Sequence, residues 1–160
     1  MRRGIALFSA FAGFLVALGL MTATQTSASS MAVVRVYQNN GEAFSKSINA
    51  DDTASLEGDY IVTTAPLYRA GTTRIVGRES SQLTVIQALP NSDARFHALA
   101  TFRIRGGKLE VAGSSTFSAL QGATAGLAIT GGTGAFEGAS GTLLIHQTQA
   151  RTHFTFEIRL

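Results

Sequence analysis

No set of side chains in this sequence is spaced as a catalytic constellation, so the chemistry open to it rests on single groups. Glu79 is the most interesting of them. It lies in TRIVGRESSQLTVIQ, among apolar neighbours. A carboxyl carried into an apolar interior keeps its proton to higher pH and becomes an acid near neutrality. The plainer alternative is an outward Glu79 paired with Arg74 or Arg78. Gln82, three residues on, has the opposite parity on an extended strand, so only one of the two faces inward unless a bulge intervenes. Tyr68 sits beside a turn, where its phenol either meets a ligand at a cavity mouth or, more simply, covers a rim.

Other chemistries lack their parts. The three histidines, His97, His146 and His153, form no HxH or carboxylate spacing of the kind a zinc site needs, so no metal is expected. With no Cys in the chain, disulfides, thiolate metal sites and thiol nucleophiles are all excluded. No GxSxG motif occurs for serine hydrolysis, and inward carboxylates are too few for a glycosidase pair. The glycine-dense segment GGTGAFEGASG invites a phosphate-loop reading, but the GxGxxG pattern that begins at Gly132 meets Glu137 where its last glycine should be. No Lys-Ser/Thr follows, and no helix begins there to hold a phosphate.

The elements that must position these residues are strands. In Arg95–Arg105 the even positions Phe96, Ala98, Ala100, Phe102 and Ile104 are apolar and the odd ones mostly polar. KLEVAGSSTF places Leu109, Val111 and Phe117 on one face, and Gly106-Gly107 between the two stretches reads as a tight hairpin. THFTFEIRL alternates Phe154, Phe156, Ile158 and Leu160 against His153, Thr155, Glu157 and Arg159. The phenylalanines are core residues first, and if the interior is hollow they are also its wall. Ala32–Gln38 is strand-like, and Asn40-Gly41 suits a type I′ turn into Glu42–Ile48. Asp51–Leu56 reads as a polar loop. Gly58–Tyr68 and Thr72–Leu89 follow, joined at Arg69-Ala70-Gly71. Ala123–Thr130 and Gly141–Thr148 flank the glycine segment.

That makes eight or nine strands joined by short turns. Such a meander closes most economically into an up-and-down barrel, which removes exposed edges, with a two-sheet sandwich as the competitor. The last strand runs to Leu160 and needs a neighbour along its whole apolar face, which the first strand would supply. At the corner, Gly131, Gly132, Gly134, Gly138 and Gly141 would permit positive φ or close backbone approach. Phe136 would plug the barrel end, and Glu137 could accept backbone donors there.

Residues 1–30 read as a secretory leader. Arg2 and Arg3 precede an apolar run from Ile5 to Met21, and a small-residue tail ends near Ser30; the run is short for a membrane anchor. The expected organisation is a leader over 1–30 and one barrel domain over 31–160, secreted and free of the membrane once cleaved. The chain has 160 residues, 45% hydrophobic and 14% charged, with 17 Gly and 2 Pro, which fits a folded single domain. Of its 13 basic residues Arg2 and Arg3 belong to the leader, leaving 11 against 10 acidic ones. So small an excess argues against a nucleic-acid partner.

Two segments carry a family resemblance. AITGGTGAFEGASGTLLI resembles the signature of the dirigent-protein and allene oxide cyclase barrel superfamily: a small-apolar strand, GGTG, an aromatic, then small residues before the next strand. Upstream, GDYIVTTAPLYRAGTTRIVGRESSQLTVIQ is similar to the cyclase-type pattern, with Gly58, Asp59, Leu67, Tyr68, Val76 and Gly77 at its marked positions. The likeness spans Gly58 to Leu160. It implies an all-β, calycin-like, eight-stranded antiparallel barrel with an apolar lumen, dimeric or trimeric, acting on a small hydrophobic molecule without metal or organic cofactor. Dirigent proteins orient phenoxy radicals for coupling, and the cyclases fold a reactive oxylipin into one ring isomer. The sequence departs from that pattern at RESSQLTVIQ, where the cyclases favour a Gly-Cys-type stretch. On this reading Tyr68, Glu79, Gln82, Phe96, Phe102, Phe117, Phe154 and Phe156 are the candidate lining residues. The alternative function is an exported, non-catalytic carrier or structural barrel whose lumen is filled by side chains.

Overall fold

The computed structural model describes residues 30–48, 57–90, 93–117 and 124–160. All but the last residue of the expected leader lies outside these ranges, as does the polar loop at 51–56. The strands are β1 (Met31–Asn39), β2 (Phe44–Ile48), β3 (Tyr60–Arg69), β4 (Ile75–Ala88), β5 (Ala94–Ile104), β6 (Gly107–Phe117), β7 (Thr124–Gly134), β8 (Ser140–Gln147) and β9 (Arg151–Arg159). They form one antiparallel sheet in the order β1-β9-β8-β7-β6-β5-β4-β3-β2, and β1 also pairs with β3, which shuts the sheet into a barrel. As the run of apolar residues to the C-terminus required, β9 pairs with β1 along its length, from Met31↔Arg159 to Asn39↔Arg151.

The Asn40-Gly41 hairpin does not form, and this corrects the sequence reading. Asn40–Glu42 is a 3-10 turn, and β1 and β2 lie in line along the same edge of β3. Tyr37 pairs with Tyr68 and Phe44 with Thr64. Between those two pairs the β1–β2 side advances seven residues and β3 only four, and the three extra residues equal the length of the 3-10 turn. β1 and β2 are therefore one strand with an insertion, and the barrel has eight staves. The turn forms because Asn40 has better partners than a hairpin would give it. Its backbone N–H donates to the Ala150 carbonyl at 2.9 Å, and its side-chain amide donates to the carbonyls of Thr148 at 2.9 Å and Gln149 at 3.2 Å.

The GGTG segment also sits differently from expectation. β7 runs through it to Gly134, and the reversal is the four-residue turn Ala135–Gly138. A bulge opposite Glu110/Val111 absorbs Thr130. Space requires glycine at 132, 134 and 141, most plainly at the first and last. A Cβ on Gly132 would lie 2.3 Å from the Phe136 carbonyl oxygen, and one on Gly141, whose φ is +138°, would lie 1.9 Å from the Glu157 carbonyl oxygen. Both obstacles are backbone atoms, which cannot step aside as a flexible side chain would. Phe136 packs against the core from this end. Glu137 is exposed, and what it gives the turn is a backbone N–H donated to the Gly134 carbonyl.

The apolar phase points inward as the alternation predicts. Leu67, Leu109, Leu143, Phe156 and Ile158 are completely buried. All five belong to the half of the barrel nearest the turns β3–β4, β5–β6 and β7–β8. Phe102, opposite Leu109 on β6, is edge-on to Phe154 and Phe156 with ring centroids 5.0 and 4.9 Å away, the geometry that the aromatic quadrupole favours.

Candidate functional site

The other half of the barrel is hollow. A cavity of about 380 Å³ opens among inward side chains from β1 through β5 and β7 through β9. This size suits a small organic ligand. Its walls differ in chemistry. Phe96, Ala98, Ala100 and Phe102 of β5 form one apolar wall, continued by Ala125 and Leu127 of β7, Leu143 and Ile145 of β8, and Phe154 of β9. Ala98 and Ala100, between Phe96 and Phe102 on the same inward row, leave the space.

The wall adjoining β5 is polar. On β4 the inward phase is Glu79, Ser81, Leu83 and Val85, while Arg78, Ser80 and Gln82 follow the outer phase. Glu79 is directly opposite Ala65 on one side and Phe102 on the other, and it is only 3% exposed. Burial pushes its carboxyl up to about 7, against the opposing influence of a hydrogen bond from Ser81. One carboxyl oxygen, Oε2, is buried with no hydrogen-bond partner. A second orphan lies on β1, where the amide oxygen of Gln38 is buried and unpartnered too, in a side chain 8% exposed. Gln38 pairs directly with Thr152 of β9, and Thr152 with Gln147 of β8. All three line the cavity. The Thr152 hydroxyl donates to Asn40 Oδ1 at 2.9 Å, so the 3-10 turn is tied to the rim of the polar wall.

The structure brings Glu79, Phe96, Phe102 and Phe154 together around the cavity. Phe156 is buried beneath them against Phe102. Phe117 ends β6, and its side chain lies outside the described residues. Gln82 and Tyr68 are not in the lumen. Gln82 follows the outward phase of β4, in a shallow external groove of about 550 Å³ that also holds Ser80, Leu99 and Thr101. That groove is wider than the lumen but holds neither orphaned oxygen, so the lumen is the better candidate. Tyr68 covers the closing seam, in keeping with the plainer of its two sequence readings. Its ring stacks on Tyr37 with centroids 5.3 Å apart, and its hydroxyl donates to the Glu42 carboxylate. The histidines lie on the outer face. His97 is exposed beside Ser114, and His146 and His153 oppose each other across β8 and β9. Among the described residues no group of three or more His, Cys, Asp or Glu could hold a metal ion.

Gln38, Asn40 and Thr152 escape a reading built on the apolar residues alone. Parity could have found two of them. Gln38 continues the inward phase of Val34 and Val36, and Thr152 continues that of Phe154 and Phe156.

No family model and no curated protein matches the sequence. Solved structures do. A pyocyanin demethylase superposes with a TM-score of 0.65 at 16% identity, over 79% of this chain and 99% of that one. A pterocarpan synthase dirigent protein gives 0.62 at 16%, over 94% of this chain and 96% of that one. A Diels-Alderase from Streptomyces koyangensis gives 0.59 at 15%, over 81% of this chain and 63% of that one. Identities this low speak for the fold alone. In fold, the chain is a closed antiparallel barrel similar to those of the dirigent protein and the Diels-Alderase.

Proposed function

We propose that the protein, exported after loss of residues 1–30, takes a small, largely apolar molecule into its lumen and steers the cyclisation or coupling of that molecule toward one product without a cofactor. The observation that carries this is the cavity of about 380 Å³ with a single buried carboxyl, Glu79, on its wall. An apolar pocket that holds a flexible reactant in one conformer removes much of the entropic barrier to a single ring or bond. An acid poised near 7 donates a proton to an oxygen gaining charge and takes it back, which is most effective when its pKa lies near the working pH. Solved barrels of this shape include a dirigent protein and a Diels-Alderase, which agrees with the proposed class of chemistry.

A carrier is the competing reading, favoured by the dominance of apolar lining. Native mass spectrometry of protein purified from its own host should reveal a retained small apolar molecule. Once that molecule or its precursor is known, Glu79→Gln should keep binding and lose at least tenfold in product formation or in isomer ratio. Unchanged product formation and isomer ratio in the variant would remove Glu79 from the chemistry, a wild type that binds the molecule without altering either would be a carrier, and an empty lumen would remove both readings. Export is checked separately: N-terminal sequencing of the protein from culture medium should begin near Met31, and an intact Met1 would overturn it.

A further inference from the structure

We propose that Gln38 is a ligand anchor, and that the lumen selects an apolar molecule whose polar end presents both a hydrogen-bond donor and an acceptor. The inference rests on the lumen being the binding site and adds the chemistry of its occupant. Two buried side-chain oxygens in the described residues have no partner, Gln38 Oε1 and Glu79 Oε2, and both side chains line the same cavity. A buried polar atom without a partner costs stability, so two on one cavity wall point to partners that arrive with a ligand. Their demands differ. An amide oxygen only accepts, so Gln38 asks the ligand for an O–H or N–H. A protonated carboxyl donates through its hydroxyl, so Glu79 asks for a lone pair.

Their placement makes one ligand able to answer both. Gln38 lies on β1 and Glu79 on β4, with β3 between them. Tyr37 pairs with Tyr68, so Gln38 falls beside Leu67, and Glu79 pairs with Ala65, two residues along the same inward row. Ala65 between them is fully buried, and both polar side chains reach the cavity. The apolar body of the ligand then rests on Phe96, Phe102 and Phe154, which line the same cavity. Molecules with acceptors alone, such as an epoxide or a quinone, would leave the Gln38 oxygen unanswered and are selected against.

The test uses two shape-matched probes, 2-naphthol and 2-methylnaphthalene, titrated into the wild-type protein and into Gln38→Leu. The expected result is that Gln38→Leu weakens 2-naphthol about tenfold, the size of one lost hydrogen bond, and leaves 2-methylnaphthalene unchanged. Because the leucine removes a buried orphan, the variant should also melt no lower than the wild type. Equal affinity of 2-naphthol for both proteins would overturn the anchor while leaving the lumen as binding site. A variant that melts well below wild type and loses both probes together would assign Gln38 a structural role instead. If neither probe enters the wild-type lumen, the anchor and the proposed function fall together.

Discussion

At the glycine-rich end of the barrel Leu67, Leu109, Phe156 and Ile158 are fully buried, whereas at the opposite end Phe96, Ala98 and Ala125 face a cavity of about 380 Å³. Both ends belong to the same eight staves and the same inward phase, so the contrast comes from side-chain size and from backbone. At the packed end, Gly132 and Gly141 let neighbouring strands come closer than any Cβ would allow, and large side chains fill what remains. At the hollow end, Ala98 and Ala100 lie between Phe96 and Phe102, and the wall turns polar at Gln38, Glu79 and Thr152. Stability is concentrated where the barrel is tight, and it is given up where a ligand would sit.

The largest effect should come from removing equal amounts of ring at the two ends. Phe156→Ala leaves a void in a rigid surround and should cost about 4 kcal/mol in denaturant unfolding. Phe96→Ala only enlarges a space already present, so the transfer of its ring accounts for most of the loss, about 2 kcal/mol. Equal costs would mean that the hollow end is collapsed in solution, and the contrast drawn between the two ends would fail.

Next in size is the acid at the hollow end. The Glu79 pKa is raised from 4.5 to about 7 in the folded chain. Between those values the native state holds a proton that the unfolded chain has released, so stability falls as pH rises through that window. Below about 4.5 no penalty remains, and above about 7 it is complete. Glu79→Gln removes the ionisation and should gain up to about 3 kcal/mol over the wild type at pH 8, with little difference at pH 4. A wild type-to-variant difference that stays flat from pH 4 to 8 would show that the carboxyl is solvated and that the polar wall is not sealed.

Much of the packed end was legible in the sequence because it is written in residues with one reading. Phe154 to Ile158 alternates without interruption, and the glycines at 131–141 mark a corner that calls for positive φ or close backbone approach. The hollow end was less legible for two physical reasons. β4 is polar on both faces, with Arg78, Ser80 and Gln82 outside and Glu79 and Ser81 inside, so parity separates Glu79 from Gln82 without saying which one is buried. Asn40-Gly41 carries a strong local preference for a hairpin, but the partners of Asn40 are Thr148 to Ala150, more than a hundred residues later. A long-range network overrode the local turn, and with it went the view of β1 and β2 as separate staves.

The smallest effect, and the sharpest on the comparison, comes from adding the same carbons at each end. Ala139 is buried in the core beside the β7–β8 turn, and its N–H donates to the Phe136 carbonyl at 3.0 Å. Ala139→Leu must displace atoms there and should cost about 2 kcal/mol. Ala98 is buried to a similar degree, but it borders the cavity, with Leu83 opposite it on β4. Ala98→Leu has room to extend into the lumen. Burying the added methyl groups against the cavity wall offsets most of the rotamer entropy lost, so the unfolding free energy should stay within about 1 kcal/mol of wild type. The same substitution should abolish binding of 2-naphthol by occupying its place. Two proteins of near-equal stability, one binding and one not, would separate the space for a ligand from the packing that holds the barrel. If Ala98→Leu instead destabilises as much as Ala139→Leu, the interior is filled at both ends and the lumen has no vacancy to offer.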